Sequence, residues 1–392
     1  MISTGIHERI DEMNMNVSDS LRPSFPQINV TPRLLLGPGP SNAHPRVLQA
    51  LGMRQLGHLD PQFLEIMNRN QELIRYVWQT DNKMCIPVSG TGSAAMEATF
   101  ANLIEQGDKV LVAVKGYFGT RMVDMAGRYG AEIIEINKPW GEAFTLEELT
   151  TAVEEHQPVI LAIVHAETST GVCQSLEGVG DLCRANGTLL LVDTVTSMGG
   201  VPLFIDDWRI DAAYSGSQKC LSCPPGISPL TFGERAMEKI GNRGGKVKNW
   251  YLDMTLLANY WGNERSYHHT APINMNYGLY EALRLVAEEG LEARWERHQQ
   301  NADLLVSQLR KIGLEPYAPD EIRLPSLITV AVPDDVEAKS VTSALLNEYN
   351  IEIGNGLGTL AGKVWRIGLM GFNSRVENVT LVTSALDKVL NG

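Results

Sequence analysis

Two patterns of apolar and polar residues alternate along the middle of the chain. Continuous apolar runs such as KVLVAV (109–114) and TLLLVD (188–193) are typical of strands covered on both faces of a sheet. Between such runs lie segments with helical periodicity, for example TLEELTTAVEEH (145–156), which opens with Thr145 and Glu148 spaced as a capping box. The alternation of strand and helix starts at Met84 and predicts an α/β fold with a mostly parallel sheet.

The two ends of the chain differ from this middle region. Residues 1–30 are polar with several prolines and predict a mobile N-terminal tail. A large domain is predicted over 31–275, including the turn-rich entry segment LLLGPGPSNAHP (34–45). A smaller C-terminal α/β domain is predicted over 276–392, opening with a long helical stretch at 276–313.

Composition narrows the class of protein. The 392 residues are 44% hydrophobic and 20% charged, which is typical of a folded globular protein. A net charge of −13 argues against binding to a nucleic-acid backbone. No apolar run approaches the roughly 20 residues of a membrane-spanning helix. The first residues have the features of neither a signal nor a transit peptide. We therefore expect a cytoplasmic protein with no membrane or nucleic-acid partner.

Five cysteines are present, and an odd number in a long chain favours reduced thiols. The pair Cys220-x-x-Cys223 is the only close spacing, and zinc would need two further ligands. We predict no metal site. Because prolines and two predicted strands flank the pair, we predict a packed turn, with a redox dithiol as the alternative.

Polar residues follow several predicted strands, at the edge where open α/β sheets bind ligands. SGTGS (89–93) opens a helix, whose free N–H groups can bind phosphate, although a glycine turn without a ligand is also common. Asp193 ends a buried apolar strand and needs a cation or strong donors. The alternative for Asp193 is a helix cap or a structural salt bridge.

Lys219 lies in YSGSQKCLSCPPG (214–226), a turn between two predicted strands. Burial would lower the pKa of its amine and make it a nucleophile, unless it only forms a salt bridge with Asp193. A phosphate site, a buried carboxylate and a desolvated lysine together are what pyridoxal 5'-phosphate (PLP) requires. Phe118 is a candidate for stacking on the PLP ring, with ordinary core packing as the alternative.

Several longer motifs occur in the order seen in class V aminotransferases, and the chain resembles most closely the alanine–glyoxylate and serine–pyruvate group of that family. The resemblance covers roughly Thr31 to the C-terminus. Its motifs are LLLGPGPSN, SGTGSAAMEA, HAETSTGV, LLLVDTVTSMGG, YSGSQKCLSCPPG, YHHTAP and KVWRIGLMG. It implies PLP fold type I with a seven-stranded sheet and a homodimer with shared active sites. The implied reaction moves the amino group of alanine or serine to glyoxylate or pyruvate.

The resemblance also implies roles for single residues. Lys219 resembles the lysine that forms the Schiff base with PLP, and Asp193 the partner of the pyridinium nitrogen. Arg366 resembles the arginine that binds the substrate carboxylate, with a structural ion pair as the alternative, and Gly39 lies in the segment that lines the substrate site. The other implied cofactor-binding residues are Thr91, Gly92, Ser93, Phe118, Thr168, Val195 and Gln218, with Tyr267 and Thr270 from the neighbouring subunit.

Three positions depart from common family patterns. Phe118 stands where relatives often have Trp, Ser93 where some have His, and Thr168 where some have Ser. These departures affect the fine tuning of the site, and PLP is still the expected cofactor. His268 and His269, inside YHHTAP, are expected to be structural because no third metal ligand is evident nearby.

Three alternatives to this function remain open at the level of sequence. A PLP lyase or cysteine desulfurase would use the same fold, but a desulfurase needs a reactive cysteine on a mobile loop. A class V transaminase of other specificity, for an aminophosphonate or ureidoglycine, would share the same motifs. A non-catalytic structural or redox subunit would account for the C-x-x-C pair without any cofactor.

Overall fold

The computed structural model describes residues 18–392. Residues 18–32 belong to a unit of their own, are exposed, and contain a single turn of 3-10 helix at Asp19–Leu21. The mobile tail predicted for residues 1–30 falls largely outside the described residues and stays a prediction. All the elements below belong to the second unit, Arg33–Gly392.

This second unit is built from alternating strands and helices. The strands are β1 (Leu34–Leu35), β2 (Met84–Ser89), β3 (Lys109–Val114), β4 (Glu132–Asn137), β5 (Ile160–Val164), β6 (Ala166–Glu167), β7 (Val172–Cys173), β8 (Leu189–Asp193), β9 (Ala212–Tyr214), β10 (Ile227–Phe232), β11 (Leu327–Ala331), β12 (Ile351–Glu352), β13 (Gly354–Asn355) and β14 (Val364–Gly368). The helices are α1 (Pro45–Leu51), α2 (Pro61–Trp78), α3 (Gly92–Leu103), α4 (Tyr117–Arg128), α5 (Leu146–His156), α6 (Val179–Ala185), α7 (Glu234–Gly241), α8 (Met254–Trp261), α9 (Ile273–Glu289), α10 (Leu291–Lys311), α11 (Ala338–Glu348) and α12 (Val376–Asn391). Short 3-10 turns lie at Asp320–Ile322, Gly358–Leu360 and Gly371–Asn373.

The central sheet has seven strands in the order β2-β10-β9-β8-β5-β3-β4. Five neighbouring strands, from β9 to β4, run parallel to one another, and β10 is antiparallel to both of its neighbours. The predicted α/β fold with a mostly parallel seven-stranded sheet is therefore confirmed. Because parallel strands end at the same edge, the residues that follow β3, β5, β8 and β9 meet there.

Apolar side chains on both faces of the sheet explain why the strands read as continuous apolar runs. In β3, Val110 and Val112 pack into one core cluster with α3, whereas Leu111 and Ala113 pack into a second cluster with α5. Side chains of a strand alternate between faces, so each face needs its own apolar set. All five residues of β8 are buried, including the terminal Asp193.

The C-terminal part of the chain has its own core. Strands β11, β14 and β13 form an antiparallel sheet, and Trp365 and Ile367 of β14 pack with α10, α11 and α12. The long helical stretch predicted at 276–313 is in fact two helices, α9 and α10, separated at Gly290. Gly290 has a φ of +83°, a conformation that glycine adopts without a steric penalty. The predicted domain boundary at 275/276 falls inside α9 and stays a prediction.

Two further expectations concern the chain as a whole. Within residues 18–392, none of the helices has both the length and the apolar character needed to cross a membrane. The capping box is present as predicted, because the Thr145 hydroxyl accepts from the Glu148 N–H and the Glu148 carboxylate accepts from the Thr145 N–H. Local sequence signals thus set the start of α5 directly.

Candidate active site

A cavity of about 220 Å³ opens at the carboxyl edge of the central sheet. Nine of the predicted site residues line it: Thr91, Gly92, Ser93, Phe118, Thr168, Asp193, Val195, Gln218 and Lys219. The remaining wall consists of Met96, Arg121, Val164, Ala166 and Thr196. Residues from five separate stretches of sequence therefore meet in one place.

Lys219 lies on the turn that follows β9, at the wall of the cavity. Its Nζ donates a hydrogen bond to the carbonyl oxygen of Pro38 in the entry segment. Burial, reinforced by the positive charge of Arg366, lowers the pKa of Lys219 to about 8. Near neutral pH about a tenth of this amine is therefore unprotonated and nucleophilic, far more than for a lysine at its ordinary pKa.

Asp193, at the end of β8, is 3% exposed and faces the same cavity. Its Oδ1 accepts from the backbone N–H of Val195 at 2.8 Å, and its Oδ2 accepts from the hydroxyl of Tyr214 at 2.9 Å. Burial raises the pKa of Asp193 to about 6, against the opposing effect of these two donors. No lysine or arginine forms an ion pair with Asp193 among the described residues, so the salt bridge with Lys219 considered from the sequence is not formed.

Helix α3 begins at the cavity wall, directly after the glycine turn. Thr91 is its N-cap residue, and the first N–H groups of a helix have no acceptor within the helix. A Cβ at position 92 would lie 3.5 Å from both the Ser215 oxygen and Val195, an ordinary van der Waals distance, so the glycine turn lies beside the segment that leads to Lys219. The arrangement offers backbone donors to an anion beside the cavity.

Arg366 does not line the cavity but lies next to it. It is 6% exposed, and its guanidinium donates to the Asn355 oxygen at 2.8 Å and to the Thr168 oxygen at 3.4 Å. Burial lowers the pKa of Arg366 to about 10. Within the described part of the chain it forms no ion pair, so the structural ion pair considered from the sequence is not formed.

Gly39 packs directly on Lys219. A Cβ at this position would lie 2.6 Å from Lys219 Nζ, and the φ of Gly39 is +108°, which also favours glycine. The entry segment therefore approaches the amine as closely as its backbone permits, and any side chain at position 39 would displace Lys219.

Tyr267 and Thr270 are not brought into the cavity of their own chain. Both are exposed, Tyr267 to 61%, and Tyr267 contacts the ring of His58 with 5.1 Å between ring centroids. His268 and His269 hydrogen bond to each other, and His269 also contacts the hydroxyl of Ser89, just before the glycine turn. The contribution of Tyr267 and Thr270 to a neighbouring subunit stays a prediction.

Arg121 is a cavity residue that the sequence-based prediction missed. It lies three residues after Phe118 on α4, its guanidinium is 4.9 Å from the centre of the Phe118 ring, and it donates to the Ser93 hydroxyl at 3.2 Å. Arg121 could have been predicted from its spacing to Phe118, because residues three apart on a helix share a face.

Glu167 is among the polar residues that follow the strands in the sequence, but no role was predicted for it, and the structure buries it behind the cavity wall. Its carboxylate accepts from the Phe118 N–H at 3.2 Å and from both the N–H and the hydroxyl of Ser169. Ser169 in turn accepts from the Tyr117 N–H at 2.9 Å. These bonds fix the first turn of α4, which carries Phe118.

The five cysteines are unpaired. Cys220 and Cys223 are fully buried beside Lys219, and burial raises the pKa of both thiols, for Cys223 to about 12. A reactive cysteine needs a lowered pKa and access to solvent. Their environment therefore matches a packed turn.

Comparison with known proteins agrees with this geometry. Residues 40–382 match the family model for aminotransferase class V. An alanine–glyoxylate aminotransferase from Callithrix jacchus is 45% identical over 367 residues, 93% of this chain and 89% of the relative.

Two solved structures show the same fold. An alanine–glyoxylate aminotransferase from Nostoc sp. has a TM-score of 0.95 and 62% identity over 96% of this chain and 100% of that chain. A ureidoglycine–glyoxylate aminotransferase from Bacillus subtilis has a TM-score of 0.92 and 39% identity, over 93% and 95% of the two chains. On the family match and these relatives, the chain belongs to the class V aminotransferases, with the fold of the type I PLP enzymes.

Proposed function

We propose that this transaminase uses PLP to move the amino group of a small amino acid, alanine or serine, to a small 2-oxo acid, with glyoxylate as the preferred acceptor. The main observation in support of this proposal is that a lysine of lowered pKa, a buried carboxylate and the start of a helix line one cavity. The alanine–glyoxylate relatives support the choice of substrates.

The residues present fit PLP. Asp193 is a buried carboxylate without a cationic partner in the described structure, which suits a protonated ring nitrogen. The start of α3 suits the phosphate group. Lys219 supplies the amine that would hold the aldehyde carbon, and Phe118 and Val195 supply apolar walls for the ring.

When bound, PLP supplies an electron sink for the negative charge that develops at the substrate Cα. Lys219 would move the Cα proton of the substrate, and a pKa of about 8 suits a group that must both accept and donate that proton near neutral pH. Asp193 would hold the proton on the ring nitrogen and so keep the sink effective. Both residues line the same cavity, which supports these roles.

Arg366 orients the substrate by binding the carboxylate of the substrate. Two of its N–H groups bond to the carbonyl oxygens of Asn355 and Thr168, which leaves further donors of the fork for a carboxylate. The carboxylate is common to every amino acid and oxo acid in the cycle, so one clamp serves both halves of the reaction.

A second candidate is transamination between ureidoglycine and glyoxylate. It is favoured by one observation, the Bacillus subtilis relative of that name at 39% identity and a TM-score of 0.92. Both candidates share glyoxylate and the same catalytic residues, and they differ only in the amino donor.

The proposed enzyme is a homodimer with shared active sites. Trp250, Tyr251 and Tyr267 are exposed to 62%, 40% and 61%, and Trp250 stacks on His268 with 4.4 Å between ring centroids. Neighbouring exposed aromatic side chains of this size mark interaction surfaces. A second copy of the chain seated there would bring Tyr267 and Thr270 of one subunit towards the phosphate site of the other.

The choice of substrates predicts the outcome of a donor panel. With glyoxylate as acceptor, alanine or serine should give a kcat/KM at least about tenfold above that of (S)-ureidoglycine, since pocket contacts discriminate small substrates by this order. Initial rates with each donor, and with pyruvate in place of glyoxylate, provide the measurement. A preference for ureidoglycine would select the second candidate instead.

Lys219→Ala should abolish transamination and the pyridoxyl label that borohydride fixes on the wild-type protein. Lys115 is the matched control, because it is also buried, it follows β3, and its amine has no hydrogen-bond partner among residues 18–392. Lys115→Met should keep the label. Mass spectrometry of peptides locates it, and a label on Lys115 would show that the wrong amine has been assigned.

Arg366→Lys should keep the visible absorbance of the bound cofactor but lose about 2–5 kcal/mol of transition-state stabilisation with all carboxylate substrates. A point charge cannot replace a planar, bidentate fork. Amines without a carboxylate should react nearly as before. The control is Arg235→Lys, since Arg235 is bound by Asp211 at 2.9 Å in a structural ion pair away from the cavity. Equal losses in both variants would contradict the clamp.

Shared sites predict complementation between inactive subunits. A 1:1 mixture of Lys219→Ala chains and Tyr267→Ala/Thr270→Ala chains, unfolded and refolded together, should recover up to about a quarter of the wild-type sites, because half the dimers are mixed and one of their two sites is intact. Mixing Lys219→Ala with Asp193→Ala should recover none, since both residues serve the same chain's site. Equal activity in both mixtures would argue against sharing.

A further inference from the structure

Tyr214 lies directly beside Asp193 in the central sheet. The two residues are register partners on the parallel strands β8 and β9, and Tyr214 is fully buried. Its hydroxyl donates to Asp193 Oδ2 at 2.9 Å. Five residues further along the chain, the same strand leads into the turn that carries Lys219.

We propose that Tyr214 is a positioning residue of the reaction, whose hydroxyl keeps Asp193 ionised and orients it towards the ring nitrogen of the cofactor. The inference rests on the proposed function, because it concerns the residue that would hold that nitrogen.

The hydrogen bonds of Asp193 carry the proposal. A carboxylate has about four acceptor positions, and this one receives one donor from the Val195 backbone and one from Tyr214. The two donors take one oxygen each, so the plane of the carboxylate is fixed while acceptor positions remain for a donor in the cavity. Removal of the Tyr214 hydroxyl would leave Oδ2 without a protein donor in the described structure and free the carboxylate to rotate.

The hydroxyl is suited to this task across the working pH range. Burial and the charge of Asp193 raise the pKa of Tyr214 well above its ordinary value, so the hydroxyl stays protonated and remains a donor. A hydrogen bond to the charged form of a carboxyl group lowers its pKa, here against the large effect of burial.

Other charged groups also act on Asp193 and set the background for any pH effect. Glu167, after β5, raises the pKa of Asp193, and Lys219, after β9, lowers it. Lys115, after β3, interacts with both carboxylates, and Arg121 on α4 acts on Tyr214. None of these groups is changed by replacing Tyr214 with Phe, so a shift in that variant reports on the hydroxyl.

The test is the pH dependence of pyridoxamine 5'-phosphate binding to the apo-protein. This ligand has the pyridine ring and phosphate of PLP but no aldehyde, so it cannot react with Lys219 and its affinity reports on Asp193. Tyr214→Phe should move the acid limb of the affinity profile, expected near pH 6 in the wild type, upwards by about one pH unit. The sign follows because loss of a donor to the carboxylate raises the pH at which Asp193 becomes protonated.

Tyr277→Phe is the matched control for loss of a buried tyrosine hydroxyl. Tyr277 is 6% exposed, belongs to the same core cluster as Tyr214, and accepts from the Leu56 N–H at 3.1 Å, away from the cavity. Its variant should lose a comparable amount of thermal stability and keep the wild-type acid limb. A role of Tyr214 in packing alone would make the two variants behave alike in both measurements, and that outcome would overturn the proposal.

Asp193→Asn separates failure of this inference from failure of the proposed function. If the Asn variant keeps the wild-type affinity and acid limb, Asp193 does not hold the ring nitrogen, and the proposed cofactor role falls together with that of Tyr214. If the Asn variant loses the limb while Tyr214→Phe retains it unshifted, Asp193 keeps its role and only the Tyr214 inference is wrong. The inference is supported if the acid limb of the affinity profile shifts upwards in Tyr214→Phe and stays at the wild-type pH in Tyr277→Phe.

Discussion

A carboxylate buried at the end of a strand is the constraint on which the rest of this site depends. Asp193 is 3% exposed, and a charge removed from water is costly unless donors or a cation replace its solvent. The protein provides two donors and no ion-pair partner among the described residues. Burial pushes the pKa of Asp193 up to about 6 and that of Lys219 down to about 8. A group with a cationic ring nitrogen would supply the partner that Asp193 lacks, and an aldehyde on the same group would use the unprotonated amine of Lys219, which is why this cavity suits PLP better than a neutral, unreactive ligand.

A second buried carboxylate organises the neighbouring wall. Glu167 accepts from Phe118 and Ser169, and a Cβ on Gly116 would lie 2.3 Å from the Glu167 Cγ. The backbone at 116 therefore passes against the Glu167 side chain with no room for another atom. Because α4 starts at Tyr117, this contact sets where Phe118 and Arg121 enter the cavity. Glu167, which does not line the cavity, thus sets the position of Phe118 in the cavity wall.

The sequence predicted the fold and part of the cavity from local patterns, and the resemblance to the family supplied the other cavity residues, such as Val195. Continuous apolar strands indicate a covered parallel sheet, and a polar residue directly after such a strand lies at its carboxyl edge, as Asp193 does. The role of Tyr214 could not be predicted in this way, because it depends on β9 lying beside β8, and strand order is not encoded in any local pattern. The break at Gly290 was missed because the local pattern gives no sign of it. The apolar periodicity continues through it, and only the φ of +83° shows that two helices meet there.

Two arginines of α10, Arg294 and Arg297, share the carboxylate of Glu289 and contact the segments that follow the site residues. Glu289 bonds Arg294 at 2.6 Å and Arg297 at 2.5 Å. Arg294 donates to the carbonyl oxygens of Gly199 and Cys220, which follow Asp193 and Lys219 in the chain, and Arg297 donates to those of Gly371 and Ser374, which follow Arg366. One partly buried network therefore contacts the segments that follow Asp193, Lys219 and Arg366. These guanidinium groups bind backbone carbonyl oxygens, so α10 links the turns that follow Lys219 and Arg366 without using any side chain that lines the cavity.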